Sequence, residues 1–146
     1  MERRLFASRE PTSSQLLDVG EMVHVCVYAD RLWNDSGIDV VRGQTYNFAV
    51  PNGEEWITGR TACGPDGCRS NWMIRPWESL RRVPEANWLQ LIGTIGRSVK
   101  PPIVIGLGLI GFTPFYPGRL YFFANDLPCM YWNNKGVIAL RITRAK

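Results

Sequence analysis

The stretch that decides the fold is Gly136-Val137-Ile138-Ala139-Leu140-Arg141-Ile142-Thr143, close to the C-terminus. Its side chains alternate, with Ile138, Leu140 and Ile142 on one face and Val137, Ala139 and Arg141 on the other. A period of two residues is typical of a strand that buries one face against a core. This stretch therefore predicts a half-buried β-strand.

Three further segments read as strands in the same way: Met22–Tyr28, 44–50 and Gly118–Ala124. The 14 glycines and 10 prolines leave few uninterrupted windows for helices of ordinary length. One short helical stretch is predicted near residues 84–92, where Pro84 could open a turn. Short strands separated by turn signals predict an all-β antiparallel sandwich or barrel with less than about a fifth helix.

Length and composition restrict the class of protein. A chain of 146 residues is one domain in size, and 45% hydrophobic residues exclude a disordered chain. We expect residues 1–15 to form a loose, polar arm and residues 16–146 to form the single domain. The net charge of +4 is small and scattered, which argues against a nucleic-acid partner.

Apolar runs are too short for a membrane helix, since the longest, residues 103–112, is interrupted by glycines. The first ten residues have no apolar core behind Arg3 and Arg4, so they do not read as a secretory signal. We therefore expect a cytoplasmic start, with any export leaderless.

Histidine and cysteine offer little support for an enzyme. His24 and Cys26 share one face of a predicted strand, but a nucleophile pair also needs a third, orienting group. His24, Cys26 and Cys129 remain catalytic candidates by residue type alone. The sequence contains no nucleophile elbow, phosphate loop or dinucleotide fingerprint. We predict that the protein is not an enzyme.

Cys63 and Cys68 flank Gly64-Pro65-Asp66-Gly67, which suits a tight turn. Free thiols, a disulfide and half of a zinc site are all compatible with this spacing. Because we expect a cytoplasmic start, free thiols are the default.

The richest set of polar residues is Asn125-Asp126-Leu127-Pro128-Cys129-Met130-Tyr131-Trp132-Asn133-Asn134, between two predicted strands. One carboxylate and several amides are hard oxygen ligands of the kind that Ca²⁺ takes, although a second loop would have to complete the shell. Asn and Asp also build turns by bonding their own backbone, and locally that reading is the simpler one.

The loop resembles that of the small bacterial calcium-dependent galactophilic lectins, in which a strand runs into Asn-Asp-x-Pro and closes with Asn-Asn and a glycine-bearing strand. Weaker similarity extends over residues 43–56, 64–67 and 91–96. The resemblance implies a jelly-roll β-sandwich of the galactose-binding-domain type. It also implies a calcium site, carried over to Asp126, Asn133, Asn134, and the carbonyls of Met130 and Gly59.

The sugar pocket of that family also uses a His and a Gln, and residues 68–77 contain neither. The resemblance implies that Ca²⁺, Asp126, Leu127 and Asn133 hold a sugar. Because the His and Gln are missing, we expect a specificity other than plain galactose. Aromatic and basic side chains replace the missing groups as candidate sugar contacts: Trp72, Arg75 and Trp77.

We thus expect a calcium-dependent lectin whose partner is a glycan or glycoconjugate. Weak single sites would gain avidity in a homo-oligomer. The alternative is a non-catalytic β-sandwich interaction or scaffold module that does not bind sugar.

Overall fold

The computed structural model describes residues 13–146, and these form two large β-sheets and a small one. The strands are, in chain order, β1 (Gln15–Leu16), β2 (Met22–Tyr28), β3 (Asn34–Val40), β4 (Tyr46–Ala49), β5 (Trp56–Thr58), β6 (Thr61–Cys63), β7 (Leu91–Ile95), β8 (Ile103–Val104), β9 (Gly108–Phe112), β10 (Gly118–Ala124), β11 (Asn134–Lys135) and β12 (Val137–Arg144). Two 3₁₀ helices are described as well, Arg75–Leu80 and Tyr131–Asn133.

The five-stranded sheet has the order β1-β3-β10-β7-β8, the four-stranded sheet β2-β12-β4-β9, and the small sheet β11-β5-β6. All described pairings are antiparallel except that of β1 with β3. The two large sheets share one core, where Phe48 of β4 meets Phe122 of β10 at 6.1 Å between ring centroids. The prediction of an all-β antiparallel sandwich is confirmed.

The predicted core face of β12 is that of the structure. Ile138, Leu140 and Ile142 of β12 are completely buried, and Tyr46 and Phe48 of β4 lie in the same core. These large side chains supply the apolar area that stabilises the sandwich, at about 25 cal/mol per Å² removed from water. β2 and β10 have the predicted bounds.

The helix predicted near residues 84–92 is wrong. This segment forms turns that lead into β7. The carbonyl groups of Val83, Ala86 and Asn87, which a helix would pair internally, accept hydrogen bonds from the buried side chain of Asn125 instead. A tertiary contact therefore overrides the local signal.

The expectation of free thiols at Cys63 and Cys68 is also wrong, because the structure joins them in a disulfide. Gly67 adopts φ +80°, and its N–H donates to the carbonyl of Gly64 at 2.9 Å, which closes the turn. A side chain at Gly67 would meet the carbonyl oxygen of Trp88 at 2.3 Å. The turn brings the cysteine Cα atoms within 5.5 Å.

Residues 1–12 of the predicted arm lie outside the described part of the chain, and Gln15 belongs to β1. Within residues 13–146, no helix has the length and apolar character needed to cross a membrane.

Candidate functional site

The loop between β10 and β11, residues 125–133, is held at its start by Asn125. This side chain is completely buried; its Nδ2 donates to three carbonyl groups, and its Oδ1 accepts from the N–H of Val83 at 3.0 Å. The backbone N–H of Asn125 donates to the carbonyl of Gln90, and its carbonyl accepts from the N–H of Leu89. Asn125 therefore acts as a structural clamp, with all its polar groups engaged.

Tyr131 fixes the far side of the same loop. Its buried hydroxyl donates to the carbonyl of Ala124 and accepts from Nη1 of Arg82 at 2.9 Å. Burial raises the pKa of Tyr131 to about 12, so the hydroxyl keeps its proton and remains a donor. The Arg82 guanidinium stacks 3.6 Å from the ring centroid of Phe123, which braces the loop against the five-stranded sheet.

Asp126 is 4% exposed, an unusual position for a carboxylate. One oxygen accepts from the N–H of Leu127 at 2.7 Å, and the other accepts from Nδ2 of Asn134 at 2.9 Å. Burial raises the pKa of Asp126, and this effect exceeds the opposing effect of the two hydrogen bonds. Because Asp126 is desolvated and no cationic side chain of residues 13–146 forms a salt bridge with it, this carboxylate is a candidate to bind a cation.

Two amide oxygens in the same part of the molecule as Asp126 also favour a bound cation. Oδ1 of Asn133 and Oδ1 of Asn134 are buried and accept no hydrogen bond from any residue in 13–146. The orientation of Asn134 is fixed, because its Nδ2 already donates to Asp126 and to the carbonyl of Ala29. Unpaired buried oxygens are unfavourable by about 1–3 kcal/mol each, and a hard cation would satisfy them.

The small sheet brings a second loop to these oxygens. β11 pairs with β5, so that Asn134 lies opposite Thr58, and the N–H of Gly59 donates to the carbonyl of Asn133 at 2.9 Å. Gly59 adopts φ +58° at the tip of the β5–β6 hairpin, a conformation that favours glycine. The β5–β6 hairpin is thus in contact with the loop, which a calcium ligand at the carbonyl of Gly59 would require.

The fit of this site to a cation rests on oxygen donors. Among the described residues, no three His, Cys, Asp or Glu side chains form a metal-ligating group. One carboxylate, two side-chain amide oxygens and nearby backbone carbonyls suit Ca²⁺, which accepts such neutral oxygens, better than a transition metal.

Next to Asp126 and Asn133 the surface opens into a cleft of about 610 Å³. Leu127 and Met130 of the loop line one side of it, and Ile74, Trp77 and Trp88 form a largely apolar wall. Trp88 is held by its indole N–H, which donates to the hydroxyl of Ser70 at 2.6 Å. The volume lies within the range of small-molecule sites.

In residues 71–77, the segment that carries Trp72 and Trp77, every third side chain lines the cleft. Asn71, Ile74 and Trp77 line the cleft, whereas Trp72 is 82% exposed and neither it nor Arg75 is among the lining residues. Residues three apart share a face in a 3₁₀ turn, and here the N–H of Trp77 donates to the carbonyl of Ile74. Of the predicted sugar contacts in this segment, the structure brings only Trp77 to the cleft.

Sequence reasoning did not select several residues that line the cleft: Thr58, Arg69, Asn71, Ile74 and Trp88. Pro76 at the start of the 3₁₀ helix is the local signal that could have revealed the period of three. Arg69 and Asn71 are polar groups brought to the cleft by a turn whose path the sequence does not specify.

His24 and Cys26 lie on β2, paired with β12, and neither lines the cleft. Burial raises the pKa of the Cys26 thiol, with Glu54 adding to the effect, which is opposite to the activation that a thiolate nucleophile needs. Cys129 is exposed, carries a free thiol and borders the cleft.

No protein-family model matches this chain, and no curated protein matches it. Among solved structures, the chain is similar to one titled "EclA N-terminal domain; PllA-like lectin", with a TM-score of 0.62 and 15% sequence identity. The alignment covers 84% of this chain and 97% of that one. At this identity the similarity shows a shared fold over nearly the whole domain.

Proposed function

We propose that this chain is a calcium-dependent carbohydrate-binding protein. The observation that carries the proposal is the pair of buried, unpaired amide oxygens on Asn133 and Asn134 beside the buried carboxylate of Asp126. The structural similarity to a domain titled as a lectin supports the same class of function. No catalytic step is part of the proposal.

Asp126, Asn133 and Asn134 would hold the cation, together with carbonyl groups of Met130 and Gly59. Bound there, Ca²⁺ would offer open coordination positions to two vicinal sugar hydroxyls. Asp126, Leu127 and Asn133 adjoin the cleft and would contact the same hydroxyls, while the indole of Trp77 would cover an apolar face of the sugar ring.

Specificity should differ from that for plain galactose. Arg69, Asn71 and Trp77 line the cleft from the segment where the resembling family has its His and Gln. We expect each single site to bind weakly, because the entropy lost in ordering the ligand and the side chains offsets much of the contact energy. A homo-oligomer would supply avidity.

A glycan array probed with calcium and again with chelator tests the proposal. Binding of a defined set of glycans that disappears with chelator, and also in Asp126→Ala with calcium present, is the expected result. Calcium-dependent stability without any glycan signal would contradict sugar binding and favour an interaction module with a structural cation.

A further inference from the structure

The loop at residues 125–133 borders a second groove on its other side. We call this the arginine groove, defined by Arg31, Trp33, Arg97, Tyr131 and Trp132, with a volume of about 600 Å³.

Largely different residues of the loop line the two spaces. Leu127, Met130 and Asn133 line the cleft described above, whereas Pro128, Tyr131 and Trp132 line the arginine groove. Exposed Cys129 borders both. The two spaces are therefore neighbours across one loop, close enough for a single oligosaccharide to contact both.

The arginine groove is rich in positive charge. Among residues 13–146, the guanidinium groups of Arg31 and Arg97 line it, together with the carboxylate of Asp30. A third guanidinium adjoins it, because Nη1 of Arg82 donates to the carbonyl of Leu32 at 2.6 Å and to the hydroxyl of Tyr131. The guanidinium of Arg97 can bind a carboxylate or sulfate through two parallel hydrogen bonds.

Arg97 is presented for such a contact. It is exposed, and its guanidinium carbon lies 5.2 Å from the ring centroid of Tyr121. Stacking on an aromatic ring uses the face of a guanidinium and leaves N–H groups at its edge for hydrogen bonds.

Aromatic rings in the groove offer a surface for a sugar. Trp132 is 76% exposed, so it contributes little to the core. Trp33 is fixed by edge contacts with Tyr121 at 6.0 Å and Phe123 at 5.5 Å between ring centroids. Indole rings bind the apolar face of sugar rings, and their polar edge suits an open, wet site.

We propose that the arginine groove binds an anionic sugar residue, bearing a carboxylate or a sulfate, from the same glycan whose diol is held at Asp126 and Asn133. This inference rests on the proposed function and extends it to acidic oligosaccharides. Arg97 and Trp132 are the specificity-determining residues.

The test is calorimetric titration of the intact protein, at saturating calcium and again with chelator, with three forms each of N-acetyllactosamine and its fucosylated counterpart. The forms are neutral, sulfated on O6 of the terminal galactose, and sialylated at that oxygen, which distinguishes the two acidic groups. We expect at least one acidic form to bind about tenfold more tightly than its neutral form. The preference should weaken as salt is added.

Arg97→Gln and Trp132→Ala should remove most of this preference while retaining neutral binding. Both residues are exposed, so the fold should persist. Arg75→Gln is the matched control: Arg75 is also exposed but lines neither space, and its loss should leave the preference intact.

Equal affinity for acidic and neutral forms, or an equal loss of preference in Arg75→Gln, would overturn the arginine groove and leave the proposed function standing. Binding of acidic forms alone, independent of calcium but lost in Arg97→Gln, would support the groove and overturn the calcium-dependent proposal. No binding by any of the six glycans would overturn the arginine groove, whereas the proposed function is decided by the glycan array.

Discussion

The two walls of the candidate cleft differ in how they are held. The loop wall is held by Asn125 and Asp126 of the loop and by Asn134 of β11, all buried and linked by hydrogen bonds to several parts of the chain. The opposite wall, over residues 69–77, consists largely of exposed side chains on a short turn. One wall is therefore fixed by buried polar contacts, whereas side chains of the other can be substituted without breaking such contacts.

The largest expected effect is on stability, and it contrasts two asparagines of the loop. Asn125→Ala removes a buried amide whose oxygen and nitrogen both form hydrogen bonds, and it should lower the free energy of unfolding by about 3 kcal/mol. Asn133→Ala removes a buried oxygen without a described partner and, in calcium-free buffer, should lower the free energy of unfolding by less than about 1 kcal/mol or raise it. Urea denaturation of both variants measures the difference, and equal losses would show that Asn133 has a structural role like that of Asn125.

This contrast also explains what the sequence could predict. Alternation in β12 predicted the core face, because a period of two needs no tertiary information. The oxygen-bearing side chains of residues 125–134 predict a candidate site only together with the family resemblance, because Asn and Asp also build turns. They did not reveal that Asn125 clamps residues 83–87, so a helix was expected there.

The opposite wall was less predictable for a physical reason. Exposed turn residues make few obligatory contacts, so their pattern carries little information about which side chains face inward. Trp72, Arg75 and Trp77 look equivalent in the sequence, and only the period of three in the folded turn separates Trp77 from the others. The expectation of free thiols at Cys63 and Cys68 is wrong for a related reason, since spacing alone allows three states of this pair.

A tryptophan pair tests this separation, with a smaller expected effect. Trp77→Ala should weaken binding of a glycan selected on the array by about fivefold, since one ring contact with the sugar is lost. Trp72→Ala, five residues earlier, should leave the affinity unchanged because Trp72 does not line the cleft. Calorimetry on both variants gives the comparison, and a larger loss for Trp72→Ala would reverse the assignment of the wall.

The smallest expected effect is a pH dependence of the loop wall. A carboxyl whose pKa is higher in the folded than in the unfolded state adds stability at low pH and loses it as the pH rises through the folded pKa. Burial gives Asp126 this behaviour in calcium-free protein.

Calcium competes with the proton on Asp126. The rise in Tm that calcium causes should therefore shrink as the pH falls, beginning above the ordinary pKa of 3.8 for an Asp carboxyl. Melting curves between about pH 7 and about pH 4, with and without calcium, measure this trend. A calcium response that stays constant down to the ordinary pKa would indicate that Asp126 is not a ligand.

The measurement that tests the central claim most directly is the calcium response of Tm in the wild type, Asp126→Ala and Asn133→Ala. Calcium at a hundredfold excess over its dissociation constant should stabilise the wild type by about 2.7 kcal/mol. The response should be absent in Asp126→Ala, which lacks the carboxylate, and reduced in Asn133→Ala, which lacks one neutral oxygen. An equal response in all three proteins, or none in the wild type, would contradict a calcium site in this loop.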